Sequence, residues 1–159
     1  MCSNDNASSD YRRAAIGVDI GSTFSKAVIL SHGVILSWSI IPSVGSYQAV
    51  ADEVVSQALA RAGMSVEDIA GVIATGYGAA SVSLANQSAN DLSCHGRGVS
   101  YLFPSARTVI DIGAQFTRAF RIDSEGRVVA FVLSEKCAGG SGRLLQVVAR
   151  VLQVDLGDG

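Results

Sequence analysis

Cysteine is scarce. Cys2, Cys94 and Cys137 are the three thiols of a 159-residue chain, too few and too far apart for a disulfide framework or a compact CxxC zinc site. Any metal held through them has to recruit thiolates from elsewhere. A basic excess is missing too: the formal charge is -2, and Arg, Asp and Glu are interspersed, which leaves no electrostatic footprint for nucleic acid. Long apolar runs are also absent. Gly, Ser or a charge interrupts each one well before the roughly 20 residues of a membrane helix, and no signal-peptide core follows Met1. The expected partners therefore include neither nucleic acid nor membrane, and the expected compartment is the cytoplasm. What is present is a chain of single-domain size, 48% apolar, with material for a sizeable core.

The opening MCSNDNASSD is small and polar, predicting a disordered lead-in over residues 1–13 that includes Cys2. From Ala14 to Ile41, AAIGVDIGS, FSKAVILS and GVILSWSII follow one another across turn signals at Gly21-Ser22-Thr23 and Ser31-His32-Gly33. Connections this short predict an antiparallel meander. Val50, Val54, Val55, Ala58, Leu59 and Ala62 then recur at helical spacing between an N-cap at Ser46 and a stop at Gly63. Asp68 to Thr75 reads as a buried strand ending in Gly76-Tyr77-Gly78, and Ala89 to Phe103 as a helix closed by Pro104. This alternation favours a parallel continuation. RTVIDIGA, TRAFRID and RVVAFVLS form a second strand trio, the last two joined through Ser124-Glu125-Gly126. Gly-rich CAGGSG leads into the amphipathic RLLQVVARVLQV. The predicted class is α/β: a mixed sheet with a three-strand meander, crossover helices and a second hairpin.

GVDIGS and VIDIGA both place Asp-Ile-Gly at the end of an apolar strand. An Asp-x-Gly at a strand tip sets a carboxylate beside exposed backbone N–H groups, because Gly has no side chain to block close approach. Such a tip can hold a phosphate with its hydrated Mg2+. Asp19, Gly21, Ser22, Thr23 and Lys26 form one, with Lys26 as a source of positive charge. Asp111, Gly113 and Gln115 form the other, able to orient the metal or an attacking water. A single Asp-Ile-Gly is ordinarily just a turn signal; two at widely separated strand ends argue for a site. Cys94 and His95, adjacent on a helix, point about a third of a turn apart and suit packing better than a shared metal. Tyr77 reads equally as a turn residue near a ligand or as core filling, and Trp38 as a core or edge aromatic.

GVDIGSTFSKAVIL resembles the first phosphate-binding hairpin of the actin, sugar-kinase and heat-shock ATPase superfamily. With ATGYG, LSCHGRG, VIDIGAQFTRAF and EKCAGGSGRLLQ, the chain from about Ala15 to its end resembles the BadF/BadG/BcrA/BcrD family, which includes 2-hydroxyacyl-CoA dehydratase activators and benzoyl-CoA reductase ATPase subunits. The resemblance implies an actin-like ATPase (ribonuclease H-like) domain, ATP with Mg2+ clamped through Asp19 and Asp111, and a homodimer or paired paralogous subunits sharing one 4Fe-4S cluster. Cys137 matches the first cluster ligand, at the entry of a helix whose positive dipole end favours a thiolate; Gly139, Gly140 and Gly142 are cofactor-binding candidates beside it. The implied partners are an acyl-CoA dehydratase or an aromatic-ring reductase component, with a reduced ferredoxin or flavodoxin as donor. The second cluster ligand and the adenosine-closing motif of the family fall beyond this sequence, so residues 14–159 are expected to be the first lobe of a longer protein, inactive when taken alone. Ala114 and Phe116 depart from the family's usual DIGGQD and bring the run closer to the reductase subunits. They also keep open an ATP-binding sensor or scaffold without electron transfer. A small-molecule kinase is a third reading, for which CAGGSG offers no reason to carry a thiol.

Overall fold

The computed structural model describes residues 14–114 and 117–133. The chain divides into two compact units, Met1–Asp91 and Leu92–Gly159.

In the first unit, β1 (Ala14–Ile20), β2 (Phe24–Ser31) and β3 (Val34–Pro42) form the expected antiparallel meander. Helix α1 (Tyr47–Ala62) leads to β4 (Ile69–Thr75), which lies parallel to β1. A two-residue β5 (Gln87–Ser88) extends the sheet to the order β3-β2-β1-β4-β5. The helix boundaries follow from local chemistry. Ser46 Oγ accepts from the Ala49 amide at 3.2 Å, the N-cap contact. At the other end, Gly63 takes the left-handed conformation (φ 65°) while the Gly63 and Met64 amides donate to Ala60 and Leu59, a glycine-stopped terminus.

Strand alternation fixes what faces the helix. Ala14, Ile16, Val18 and Ile20 of β1, with Ala27 and Ile29 of β2, are buried in one cluster with Ala51, Val54, Val55, Ala58 and Leu59 of α1. On β3 the buried residues are serines. Ser37 Oγ donates to Ala58 O at 2.7 Å and Ser39 Oγ to Val54 O, so both buried hydroxyls are satisfied and α1 approaches closely. Trp38 points the other way on this edge strand, 56% exposed, with the Arg61 guanidinium 5.9 Å from its ring centre. It is an edge aromatic, not core.

In the second unit, α2 (Asp91–Leu102) precedes β6 (Thr108–Ile112), β7 (Thr117–Ile122) and β8 (Val128–Leu133). These three strands are the expected second trio, but they make their own antiparallel sheet rather than joining the first in one mixed sheet. Two glycines join α2 to the β7–β8 turn: a Cβ on Gly96 would fall 2.7 Å from Gly126 O, and one on Gly126 would fall 2.7 Å from Ser100 Cβ. Arg97 Nη1 donates to Glu125 O at 2.7 Å across the same contact.

Asp123 closes that turn. Its Oδ1 accepts from the Glu125 and Arg127 amides, and its Oδ2 from Arg127 Nε at 2.7 Å. The Arg127 guanidinium, then the Arg127 amide, hold the Asp123 carboxyl at about 2, below its usual 3.8. A depressed folded-state value means the turn's stabilisation is present above the usual carboxylate value and is lost as pH falls through about 2. An NMR titration of the Asp123 carboxyl carbon should give a midpoint near about 2, moving back toward the ordinary range in Arg127→Ala. A normal midpoint in the unsubstituted protein would show that the turn is not held this way.

Candidate functional site

Asp19 lies one residue from the end of β1. Val18 and Ile20 on either side point into the core, so alternation turns Asp19 to the opposite sheet face. Directly across the hairpin its register partner is Lys26, whose Nζ is 2.9 Å from Asp19 Oδ2. The intervening turn leaves no room for a side chain at its first position, as a Cβ on Gly21 would sit 2.5 Å from Phe24 O. Ser22 is half-buried and Thr23 exposed. Ser43, just past β3, fastens this turn: its amide donates to Thr23 O at 2.9 Å and its hydroxyl to Gly21 O at 2.7 Å.

The turn after β4 forms the other wall. Thr75 is the parallel partner of Asp19, and the Gly78 amide donates to Ile20 O at 2.9 Å. Gly76 has φ +86°, and a Cβ there would fall 2.3 Å from Asp19 Oδ1. Tyr77 between the glycines is 74% exposed and meets Tyr47 edge-on at 6.0 Å; it is a turn residue rather than core filling. Asp19, Gly21, Ser22, Thr23 and Lys26 thus sit together, a carboxylate and an ammonium beside a turn whose first residue carries no side chain.

In the second unit Asp111 of β6 faces Arg118 of β7 in register. Arg118 Nε donates to Asp111 Oδ2 at 2.9 Å. His95 of α2 brings Nδ1 to 3.0 Å from the same oxygen. Packing is therefore the wrong reading for His95, whose side chain is 41% exposed and meets a carboxylate on β6; Cys94 is half-buried, as a packing thiol is. Gly113 follows at the end of β6, half-buried, with Ala114 exposed. Gln115, Phe116, Cys137, Gly139, Gly140 and Gly142 lie outside the described residues.

The two tips share a construction that the Asp-Ile-Gly echo only half reveals. DIGSTFSK and DIGAQFTR each place a cation seven residues after the aspartate, and each cation meets Oδ2 of that aspartate across its hairpin. From the sequence, His95 reads as a packing residue and Gly76 as a plain turn residue, and neither Arg118 nor Ser43 is singled out. The seven-residue spacing was a visible signal for Arg118; the others depend on contacts between distant segments. Among the described residues no group of three or more His, Cys, Asp or Glu could hold a metal ion. One carboxylate at each tip nevertheless suits Mg2+, which keeps several waters and takes its other ligands from phosphates. No helix among the described residues is long and apolar enough to cross a membrane.

The sequence pattern of the BadF/BadG/BcrA/BcrD ATPase family matches residues 16–158. The 2-hydroxyisocaproyl-CoA dehydratase activator of Clostridioides difficile is 40% identical over 143 residues, covering 90% of this chain and 54% of that protein. The solved structure of an activator of the 2-hydroxyisocaproyl-CoA dehydratase from Clostridium difficile, with bound ADPNP, superposes with a TM-score of 0.78 at 40% identity, over 89% of this chain and 53% of that one. One of the benzoyl-CoA reductase subunits of Thauera aromatica is 38% identical over 107 residues, 66% of this chain and 37% of that protein. The fold is the expected actin-like α/β type, and the chain spans about half the length of the curated relatives it matches.

Proposed function

Because the chain belongs to the BadF/BadG/BcrA/BcrD ATPase family, we propose that it forms the first, phosphate-binding lobe of an ATP-hydrolysing electron donor that activates a 2-hydroxyacyl-CoA dehydratase or serves a benzoyl-CoA reductase. The observation that carries this reading is the pair of hairpin tips, each with a carboxylate held by a cation seven residues on. Asp19 and Asp111 serve the metal side of Mg-ATP. Lys26, the Gly21–Thr23 backbone and the hydroxyls of Ser22 and Thr23 donate to phosphate oxygens. Gln115 orients the attacking water. Bound Mg2+ supplies charge neutralisation for the triphosphate.

Cys137 is proposed as one thiolate of a 4Fe-4S cluster shared with another copy or a paralogue of this chain, and Gly139, Gly140 and Gly142 as the backbone around it. Such a cluster supplies low-potential electron transfer, with a reduced ferredoxin or flavodoxin as the source of electrons and a cytoplasmic dehydratase or reductase as their destination. Ala114 and Phe116 support a second reading, an ATP-binding sensor or scaffold that transfers no electrons, because a methyl and a phenyl can neither ligate nor donate.

Anaerobic reconstitution of the full-length protein with iron and sulfide separates the two. The expected product is a brown protein with a reducible iron-sulfur EPR signal, and Cys137→Ser is expected to lose most of the iron while still binding ADP. Unsubstituted protein that binds ADP but takes up no iron would leave the sensor reading in place.

A further inference from the structure

The LSCHGRG segment of α2 has no role in the reading above, yet its His95 reaches the carboxylate of the second tip. We infer that His95 is a positioning residue for Asp111, setting the orientation of the carboxylate that meets the metal-bound nucleotide, with Arg118 as its co-holder. This rests on the proposed role of Asp111. Three observations carry it. His95 Nδ1 and Arg118 Nε approach the same oxygen, Asp111 Oδ2, at 3.0 and 2.9 Å, and Arg118 Nη2 lies 3.5 Å from His95 Nδ1. In the tautomer that carries its proton on Nδ1, His95 donates to Asp111 Oδ2 beside Arg118 Nε, and two donors from different elements restrict rotation of that carboxylate more than either could alone, since each fixes a separate direction.

The second observation concerns how His95 gets there. Its neighbour Gly96 is the one buried residue of α2 and touches the β7–β8 turn backbone, while Arg97 ties the same turn through Glu125 O. Three consecutive residues therefore act as one device, in which Gly96 permits contact, Arg97 latches it and His95 extends from it to Asp111. Third, Arg118 is the in-register partner of Asp111 and its side chain is only 13% exposed, so the carboxylate's other holder is anchored in the sheet. Partners behind a metal-facing carboxylate commonly matter about tenfold or more for metal affinity or rate.

The test is calorimetric titration of ADP into the full-length protein, with and without Mg2+. His95→Ala is expected to weaken the Mg2+-dependent part of ADP affinity about tenfold, leaving metal-free ADP binding and the melting temperature near those of the unsubstituted protein. His95→Asn, whose side-chain amide can donate from the place of Nδ1, should recover that affinity to within about threefold. In steady-state ATP hydrolysis the same Ala variant should raise KM for Mg-ATP, as the weaker Mg2+-dependent binding requires, and His95→Asn should bring it back. A folded His95→Ala protein with normal Mg2+ dependence, or an Asn variant as impaired as Ala, overturns the inference. Asp111→Asn tells the two failures apart: if it alone abolishes Mg2+ dependence, only the role of His95 falls, whereas a silent Asp111→Asn removes the reading of the tip and the inference with it.

Discussion

Asp19→Asn in the full-length protein is expected to lower ATP turnover about a hundredfold or more while changing stability by no more than about 1 kcal/mol. The loss of rate follows from what a preorganised charge at a phosphoryl-transfer site contributes, about 10²–10³-fold. The small change in stability follows from exposure. The Asp19 and Lys26 side chains are 30% and 43% exposed, and an ion pair that solvent can reach contributes about 0–1 kcal/mol. Asn is nearly isosteric and leaves the hairpin and its turn intact. Phosphate release under saturating Mg-ATP, with a thermal melt alongside, checks both halves of the expectation. Turnover within a few-fold of the unsubstituted protein would remove Asp19 from the catalytic set, and a large loss of stability would make it a structural residue instead.

Gly76→Ala carries the largest expected effect on folding. Gly76 has φ +86°, a conformation that disfavours a side chain by about 1–2 kcal/mol. The added methyl would also meet Asp19 Oδ1 at 2.3 Å and Ile20 O at 2.7 Å, and relieving overpacking of this kind costs about a further 1–3 kcal/mol. Gly33 supplies the control. Its φ is +76° with no atom within 4 Å of the position a Cβ would take, so Gly33→Ala incurs only the conformational part. Chemical denaturation of the two variants should therefore give a clear gap, and ADP affinity should fall in Gly76→Ala alone, because relief of the clash displaces the Asp19 carboxylate. Equal destabilisation of both variants would show that the turn gives way without disturbing Asp19.

Whatever depends on neighbours in sequence was readable before any coordinates. The three-strand meander, the Ser46 and Gly63 ends of α1, the parallel β4 and the Ser124-Glu125-Gly126 turn all follow from local signals. Longer-range contacts were not. Alternation in GVILSWSII offers Leu36, Trp38 and Ile40 as the natural core face, but the sheet buries Ser37 and Ser39 instead, because small hydroxyls can donate to α1 carbonyls and let the helix come close. A strand as short as Gln87–Ser88 has too few residues for a periodicity and exists through its pairing with Ile73 and Ala74. At the candidate site, the aspartates and glycines were legible because strand tips advertise themselves. Lys26 was visible through its charge, whereas Arg118 lay in plain view at an identical spacing. His95 could not be assigned from sequence, since which face of a helix meets which hairpin is decided by Gly96 and Gly126 touching in space.

The counter-ions built into both hairpins have an electrical consequence. A triphosphate carries several negative charges, and a strand tip bearing a bare carboxylate would repel it before any metal could mediate. Lys26 and Arg118 cancel Asp19 and Asp111 at contact distance, so each tip greets an incoming polyanion as a balanced dipole. On the proposed reading, Mg2+ would compete with an ammonium or a guanidinium for the carboxylate, and the cation it displaced would be left beside the phosphates to neutralise them. Binding would then be an exchange of partners among charges already in place.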